Sequence, residues 1–359
     1  MDLACTALLR GHRAEVQHVC TADGGETALS ASADGSMRLW DLRTQRSVRA
    51  IFVQGSLDKG GEEASLDLGT CAFLNAAEPT QAVLVAAGAH LLAYDLRSSD
   101  QVLLRGPPSQ RATAGDEIND FAVSPDGSMI AAPTDSGDVQ LLSVTDFTSP
   151  RSLKGRHENI ANCARFRAAG GELFTGGADQ RLLFWDPRNG KLRSKLEVDE
   201  LLPPDDDPEA ATPFIANPPF ILSMAVGPED ALALGLGDGS VLVLPYDSRP
   251  PRGEAPWKAR YAHAAGADAV AWLGAAGRGG GRGTGLLASA GRDCQLRLWS
   301  AELSARKRRG NASAPEPLAS TPLREKPNAL AASVGGSSLL VADTSSGAST
   351  AISVFSLRG

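Results

Sequence analysis

The chain has 359 residues, a formal net charge of −7, 42% hydrophobic residues and 21% charged residues. This supplies an ordinary globular core, while the acidic balance argues against bulk nucleic-acid binding, which needs a basic face. The sequence lacks a long apolar run and a basic-then-apolar leader, and its five cysteines are scattered without a CxxC pair, so membrane span, signal peptide, zinc site and disulfide framework are not indicated.

Reading along the chain, residues 2–9 are strand-like and precede the first of three stretches that share one ruler. His12, Ser30, Asp34 and Trp40 stand in the same relation as His157, Thr175, Asp179 and Trp185. Ser289, Asp293 and Trp299 repeat the last three members, with His263 upstream. In each copy the hydroxyl residue precedes the Asp by four and the Trp follows it by six. The His-to-Asp gap is 22 in the first two copies and 30 in the third, where the Gly/Arg stretch 277–284 interrupts the pattern. Such a repeat signals a repeat architecture. Alternating apolar residues ending in the Trp suit a strand, and Asp34-Gly35 suits a tight hairpin turn. The imidazole, hydroxyl, carboxylate and indole N–H can join in one hydrogen-bonded chain tying that turn to its neighbours.

Weaker copies fill the gaps. Residues 82–88 lead to 91–95, with Tyr94 in the Trp slot; 129–132 lead to 139–142, 231–235 to 241–244, and 339–343 to 351–355. The Trp-equivalent slots are Trp40, Tyr94, Leu142, Trp185, Leu244, Trp299 and Phe355, which makes seven units. The expected bounds are 12–55, 65–107, 115–154, 157–198, 213–250, 258–304 and 326–359, the last completed by 2–9 as its missing outer strand. Between them lie a Gly-rich charged connection (54–63), an acidic Pro-rich loop (199–212) and a linker (304–325) carrying Arg306-Lys307-Arg308-Arg309. The basic run reads as a solvated loop, an import signal or an anionic contact.

His12, Ser30 and Asp34 also have hydrolase-triad composition, but a working active site has no reason to recur in another unit at the same spacing. GxSxG and HExxH are both absent. Asp205-Asp206-Asp207 sits in a Pro-rich setting without a preformed cage; His18 and His90 read as packing or surface residues. The chain is expected to be non-enzymatic, without metal or cofactor, and to reside in the cytoplasm, the nucleus or both.

The Gly11-His12 opening, the Asp34-Gly35 turn and the Trp40-Asp41 and Trp185-Asp186 closings resemble the WD-repeat family. The resemblance implies an all-β, seven-bladed β-propeller closed by its N-terminal strand, with four strands to a blade, and a scaffold that grips other proteins. Stretches at 115–137 and 151–160, and the closing strands near 340–354, are similar to one branch of that family. Arg43, Arg97 and Arg188 each follow the blade Asp by two. In this family that placement resembles the signature of substrate receptors docking on the propeller adaptor of the cullin-four ubiquitin ligase; the alternative is that each Arg pairs with a nearby carboxylate. A second functional reading is a peptide or histone-tail reader using the central channel, which predicts an acidic or aromatic pocket there. Partners are expected to be proteins, neither membrane nor nucleic acid.

Overall fold

The computed structural model describes residues 2–53, 67–75, 77–79, 81–98, 102–145, 147, 150–153, 157–202, 217–245, 257–274, 284–302, 315–333 and 338–358. These residues form seven sheets, antiparallel except for one parallel pair at the edge of the first. In order from the centre outward, blade one comprises Val16–Thr21, Thr27–Ser32, Ser36–Asp41 and Arg46–Val53. Blade two comprises Leu68–Phe73, Ala82–Ala87, His90–Asp95 and Gln110–Thr113; blade three, Ala122–Val123, Met129–Pro133, Val139–Ser143 and Arg151–Ser152. Blade four comprises Ala161–Phe166, Leu173–Gly177, Arg181–Asp186 and Lys191–Glu197; blade five, Ile221–Val226, Leu232–Leu236, Val241–Leu244 and Trp257–Ala259. Blade six comprises Ala269–Leu273, Thr284–Gly291, Gln295–Glu302 and Ala319–Pro322.

Blade seven takes Pro327–Ala332, Ser338–Asp343 and Ile352–Arg358 from the end of the chain and Asp2–Leu9 from its start. The two ends pair antiparallel, with Leu3 opposite Leu357 and Leu9 opposite Ile352. Seven apolar cores, one between each adjacent pair of blades, complete the ring. The one between blades seven and one joins Leu9, Leu340, Ala342 and Ile352 to Val16, Val19, Ala28 and Trp40. A sheet stacked between two others is covered on both faces, so its middle strands need apolar side chains at successive positions rather than at alternate ones. Leu232–Leu236 and Val241–Leu244 are accordingly buried throughout.

All seven Trp-slot residues share one register. Trp40 lies opposite Ala28, Tyr94 opposite Val83, Leu142 opposite Ile130, Trp185 opposite Leu173, Leu244 opposite Leu232, Trp299 opposite Leu287 and Phe355 opposite Leu339. Each packs into the core shared with the preceding blade.

The outer strands depart from the expected bounds. Leu103–Gly106, inside the 65–107 span expected for blade two, runs parallel to Arg46–Val53 as a fifth strand of blade one. Blade two instead takes Gln110–Thr113. Trp257–Ala259 belongs to blade five rather than opening blade six at 258. Ala319–Pro322, expected within the linker 304–325, is the outer strand of blade six. An outer strand pairs along one edge and buries little, so it carries weak apolar alternation for a sequence to display. Residues 199–201, expected in the acidic loop, lie in a short helix, Val198–Leu201, with Val198 and Leu201 buried. Residues 203–212 of the acidic stretch, Asp205-Asp206-Asp207 included, the connection 54–63, the insertion 277–283 and the run 306–309 lie outside the described residues.

Candidate functional site

Three places gather polar groups: the turns at the upper face, the turns at the lower rim, and the central channel. The upper turns join the second and third strands of each blade. In blade one the His12 ring donates from Nδ1 to Asp34 (3.1 Å) and accepts at Nε2 from the Ser30 hydroxyl (2.8 Å); the Trp40 indole donates to that same hydroxyl (2.8 Å). Each hydroxyl has one proton and the indole only donates, so this direction satisfies all four groups. Blade four repeats it: His157 to Asp179 at 2.9 Å, to Thr175 at 2.8 Å, and Trp185 to Thr175 at 2.9 Å. Blade six does the same through His263, with Asp293, Ser289 and Trp299 in contacts of 2.8 Å each. The gap of 30 in blade six therefore leaves the geometry intact, because the extra residues fall between its first two strands.

Each of these aspartates is also tied to its turn. Asp34 accepts the backbone N–H groups of Arg13 and Ser36, Asp179 those of Glu158 and Arg181, and Asp293 that of Gln295. Burial pushes the three carboxyls up, but hydrogen bonds and charge from the histidines and the turn outweigh it, and each is held below the ordinary carboxylate range. Burial lowers the His12 pKa despite Asp34, which keeps the ring neutral and able to accept at Nε2. The residue after the Asp has positive φ: Gly35 (73°), Gln180 (63°) and Cys294 (55°), matched by Gly137 (81°) and Gly239 (84°) in blades three and five. In the other four blades the hydroxyl slot holds Val85, Ala132, Leu234 and Val341, all buried. Apolar packing replaces the polar chain there, and the buried Tyr94 hydroxyl has no hydrogen-bond partner among the described residues.

The third strand ends at the opposite face. There the blade Asp accepts the backbone N–H two residues on: Arg43 to Asp41 (2.9 Å), Arg97 to Asp95 (2.9 Å) and Arg188 to Asp186 (3.1 Å). The backbone bond accounts for the spacing and leaves the three side chains in different states. Arg97 folds back on Asp95 through Nε (3.0 Å) and Nη2 (2.7 Å). Arg43 and Arg188 are exposed and make no side-chain hydrogen bond among the described residues; Asp186 is taken instead by Arg193 (2.7 Å). Arg43 and Arg188 project from blades one and four, three apart in a ring of seven.

The channel is a cavity of about 230 Å³ lined by residues on or just before the innermost strands of all seven blades, Asp120, Arg165, His18, Asn162, Asp268 and Asn328 among them. It is polar and has two carboxylates but no aromatic side chain. Arg165 pairs with Asp120 and Arg292 with Asp268 (2.9 Å). His18 accepts the Cys71 N–H (3.3 Å), and burial pushes its pKa down to about 4. A feature that went unread in the sequence organises this wall. The inner strands of blades one, four, five and seven are bulged at their second residue, and a bulge re-aims a side chain. Asn162 thereby reaches the Ile221 carbonyl of the next blade (2.8 Å) and Asn328 the Val16 carbonyl across the ring closure (3.1 Å); Asn119 reaches Ala161 in the same way (3.1 Å). The signal was a polar residue directly after the apolar start of the inner strand in blades one, four and seven (Gln17, Asn162 and Asn328), visible only once those strands are aligned. Among the described residues no group of three or more His, Cys, Asp or Glu is arranged to hold a metal, and no helix is long and apolar enough to cross a membrane.

Residues 3–41 match the model of the WD domain, G-beta repeat. That match starts in the outer strand of blade seven and ends on the third strand of blade one, so repeat and blade are offset by one strand. The chain is a seven-bladed β-propeller that is similar to WD-repeat proteins. It is 26% identical over 248 residues to the WD repeat-containing protein 53 homolog of Dictyostelium discoideum, covering 66% of this chain and 63% of that one. It is 27% identical over 203 residues to zinc finger CCCH domain-containing protein 59 of Arabidopsis thaliana, covering 54% and 37%. Over 197 residues it is 27% identical to WD repeat-containing protein 82 of Drosophila melanogaster, covering 53% and 56%. The chain thus spans less than two thirds of the length of these curated relatives.

Proposed function

We propose that this propeller is a non-enzymatic protein-interaction scaffold that acts as a substrate receptor of a cullin-four RING ubiquitin ligase. In this reading the lower rim meets the adaptor and another face meets a client protein. One observation carries the reading: at two rim turns the Asp engages the arginine backbone and leaves the guanidinium of Arg43 and of Arg188 exposed and without a side-chain hydrogen bond among the described residues. A guanidinium in that state offers a planar fork for bidentate contact with an acceptor on a partner. The polar triads that resemble a hydrolase site hold turns together in three blades, which supports a structural role for them. The experiment is a pull-down of the chain with the ligase adaptor. Capture that is lost in the Arg43→Ala, Arg188→Ala double variant and kept in Arg97→Ala supports the reading; undiminished capture by the double variant refutes the arginine argument.

A second reading, a peptide or histone-tail reader, is favoured by the polar channel with Asp120 and Asp268 on its wall. It lacks the aromatic lining that such a pocket commonly uses, and both carboxylates already hold arginines. Binding of lysine-rich peptides that is abolished by Asp268→Asn would favour it over the receptor reading.

A further inference from the structure

Under blade four the lower rim opens into a pocket of about 270 Å³, lined by Arg167, Gly170, Gly171, Glu172, Asp186, Arg188 and Arg193. Three segments of one blade build it: the turn between the first and second strands, the Asp186 turn, and the start of the outer strand. Glu172 is buried and fixes two arginines at once, Arg193 at 3.1 Å and Arg167 at 3.4 Å. Asp186 takes the other end of Arg193 (2.7 Å), and Asp230 from blade five takes Arg167 (2.7 Å). Three carboxylates thereby immobilise two guanidinium groups, while Arg188 faces the same pocket exposed, attracted through space to Asp186 but without a side-chain hydrogen bond among the described residues. Gly170 and Gly171 hold φ of 77° and 82°, and a Cβ on either would meet nothing within 4 Å. That wall is bare backbone, open to close approach by another chain.

From this arrangement we propose that the pocket binds one carboxylate of an acidic peptide segment on a partner protein, with Arg188 as the direct contact and Arg193 and Arg167 as the fixed cationic backing. The charge pattern selects the ligand. A planar carboxylate matches the guanidinium fork, and its single charge suits a pocket with one exposed cation that no side-chain hydrogen bond occupies among the described residues. A dianionic phosphate would face Glu172 and Asp186 across the same space. The pocket volume admits an acidic side chain with its adjoining peptide groups. This deepens the rim-docking reading by naming what a partner must present at blade four.

The test follows arginine Nε–Hε signals by NMR while the full chain is titrated with N-acetyl-glutamate N-methylamide, its glutamine counterpart and its phosphoserine counterpart. The expected result is a saturable shift of the Arg188 signal with the glutamate probe, at least about tenfold weaker with glutamine, as loss of a charge-assisted pair requires. The response disappears in Arg188→Ala, which keeps the parent melting temperature because the side chain is exposed. Equal responses to glutamate and glutamine, or a response that persists in Arg188→Ala, overturn the proposal. A stronger response to phosphoserine overturns it in favour of a phosphate site. Failure here with adaptor capture retained removes the pocket and leaves the receptor reading standing; the converse outcome separates them the other way.

Discussion

Replacing Thr175 by Val in blade four removes one hydroxyl and almost no volume. Its Oγ1 accepts from the Trp185 indole at 2.9 Å and donates to His157 Nε2 at 2.8 Å, and all three side chains are buried. The substitution strands two buried polar groups, at about 1–3 kcal/mol each, against a gain of about 1 kcal/mol from the added methyl. The net expectation is a loss of about 1–5 kcal/mol in urea unfolding followed by tryptophan fluorescence. Tyr94→Phe is the internal control. Its hydroxyl is buried without a partner among the described residues, and Val85 occupies the slot where blade four has Thr175. Removing that oxygen should leave stability unchanged or raise it by about 1 kcal/mol. A Thr175→Val variant within about 0.5 kcal/mol of the parent, which is the range of an ordinary surface substitution, would refute the idea that the polar chain holds the blade.

Acid should weaken the fold in two steps. His12 and His18 have lowered folded pKa values, so their contribution is complete above the ordinary histidine value of about 6.5 and is lost as pH falls through the folded values, about 4 for His18. For His18, discounted for its partial exposure to the channel, this amounts to about 2 kcal/mol. His18→Gln should flatten the melting temperature between these pH values; an unchanged slope contradicts the assignment. The depressed carboxyls of Asp34, Asp179 and Asp293 act lower, with stability present above about pH 4 and lost as pH falls through their folded values. Gly239→Ala combines φ of 84° with a Cβ 2.1 Å from the His263 carbonyl oxygen, so it should cost more than about 2 kcal/mol; a thermal melt equal to the parent's would show that the turn yields. Deleting residues 2–9 removes the outer strand of blade seven and exposes the space filled by Leu3 and Leu9. The loss should be about 3–6 kcal/mol from those two side chains alone, and an unshifted urea midpoint would argue against closure by that strand.

The blade count was legible because the third strand of every blade sits between two neighbours, so its Trp-slot residue is large and apolar or aromatic even where the polar chain is gone, as at Leu142, Leu244 and Phe355. Closure by Asp2–Leu9 was legible for a related reason: the last unit lacked an outer strand and the first was preceded by one. Outer strands such as Ala319–Pro322 and Trp257–Ala259 were hidden because one paired edge imposes little pattern. The crossing of Leu103–Gly106 onto blade one was hidden because parallel pairing of a rim segment leaves no local periodicity. At the candidate site, sequence ranks Arg43 and Arg188 ahead of Arg97, because their units carry the full His, hydroxyl, Asp and Trp set. Coordinates supply the physical difference, because whether an arginine folds onto its own Asp depends on rotamers and on competitors such as Arg193, which takes Asp186. Asn162 and Asn328 were missed because inner-strand bulges shift the register that would have aligned them, while His18, read as a packing or surface residue, lies on the channel wall.

The central claim is that Arg43 and Arg188 grip another protein, and the affinity of the purified chain for the purified cullin-four adaptor tests it most directly. The account predicts measurable binding by the parent, weakening of at least about tenfold in the Arg43→Ala, Arg188→Ala double variant, and parent-like affinity in Arg97→Ala, whose guanidinium is already held by Asp95. No binding by the parent, or equal affinity in parent and double variant, would contradict it.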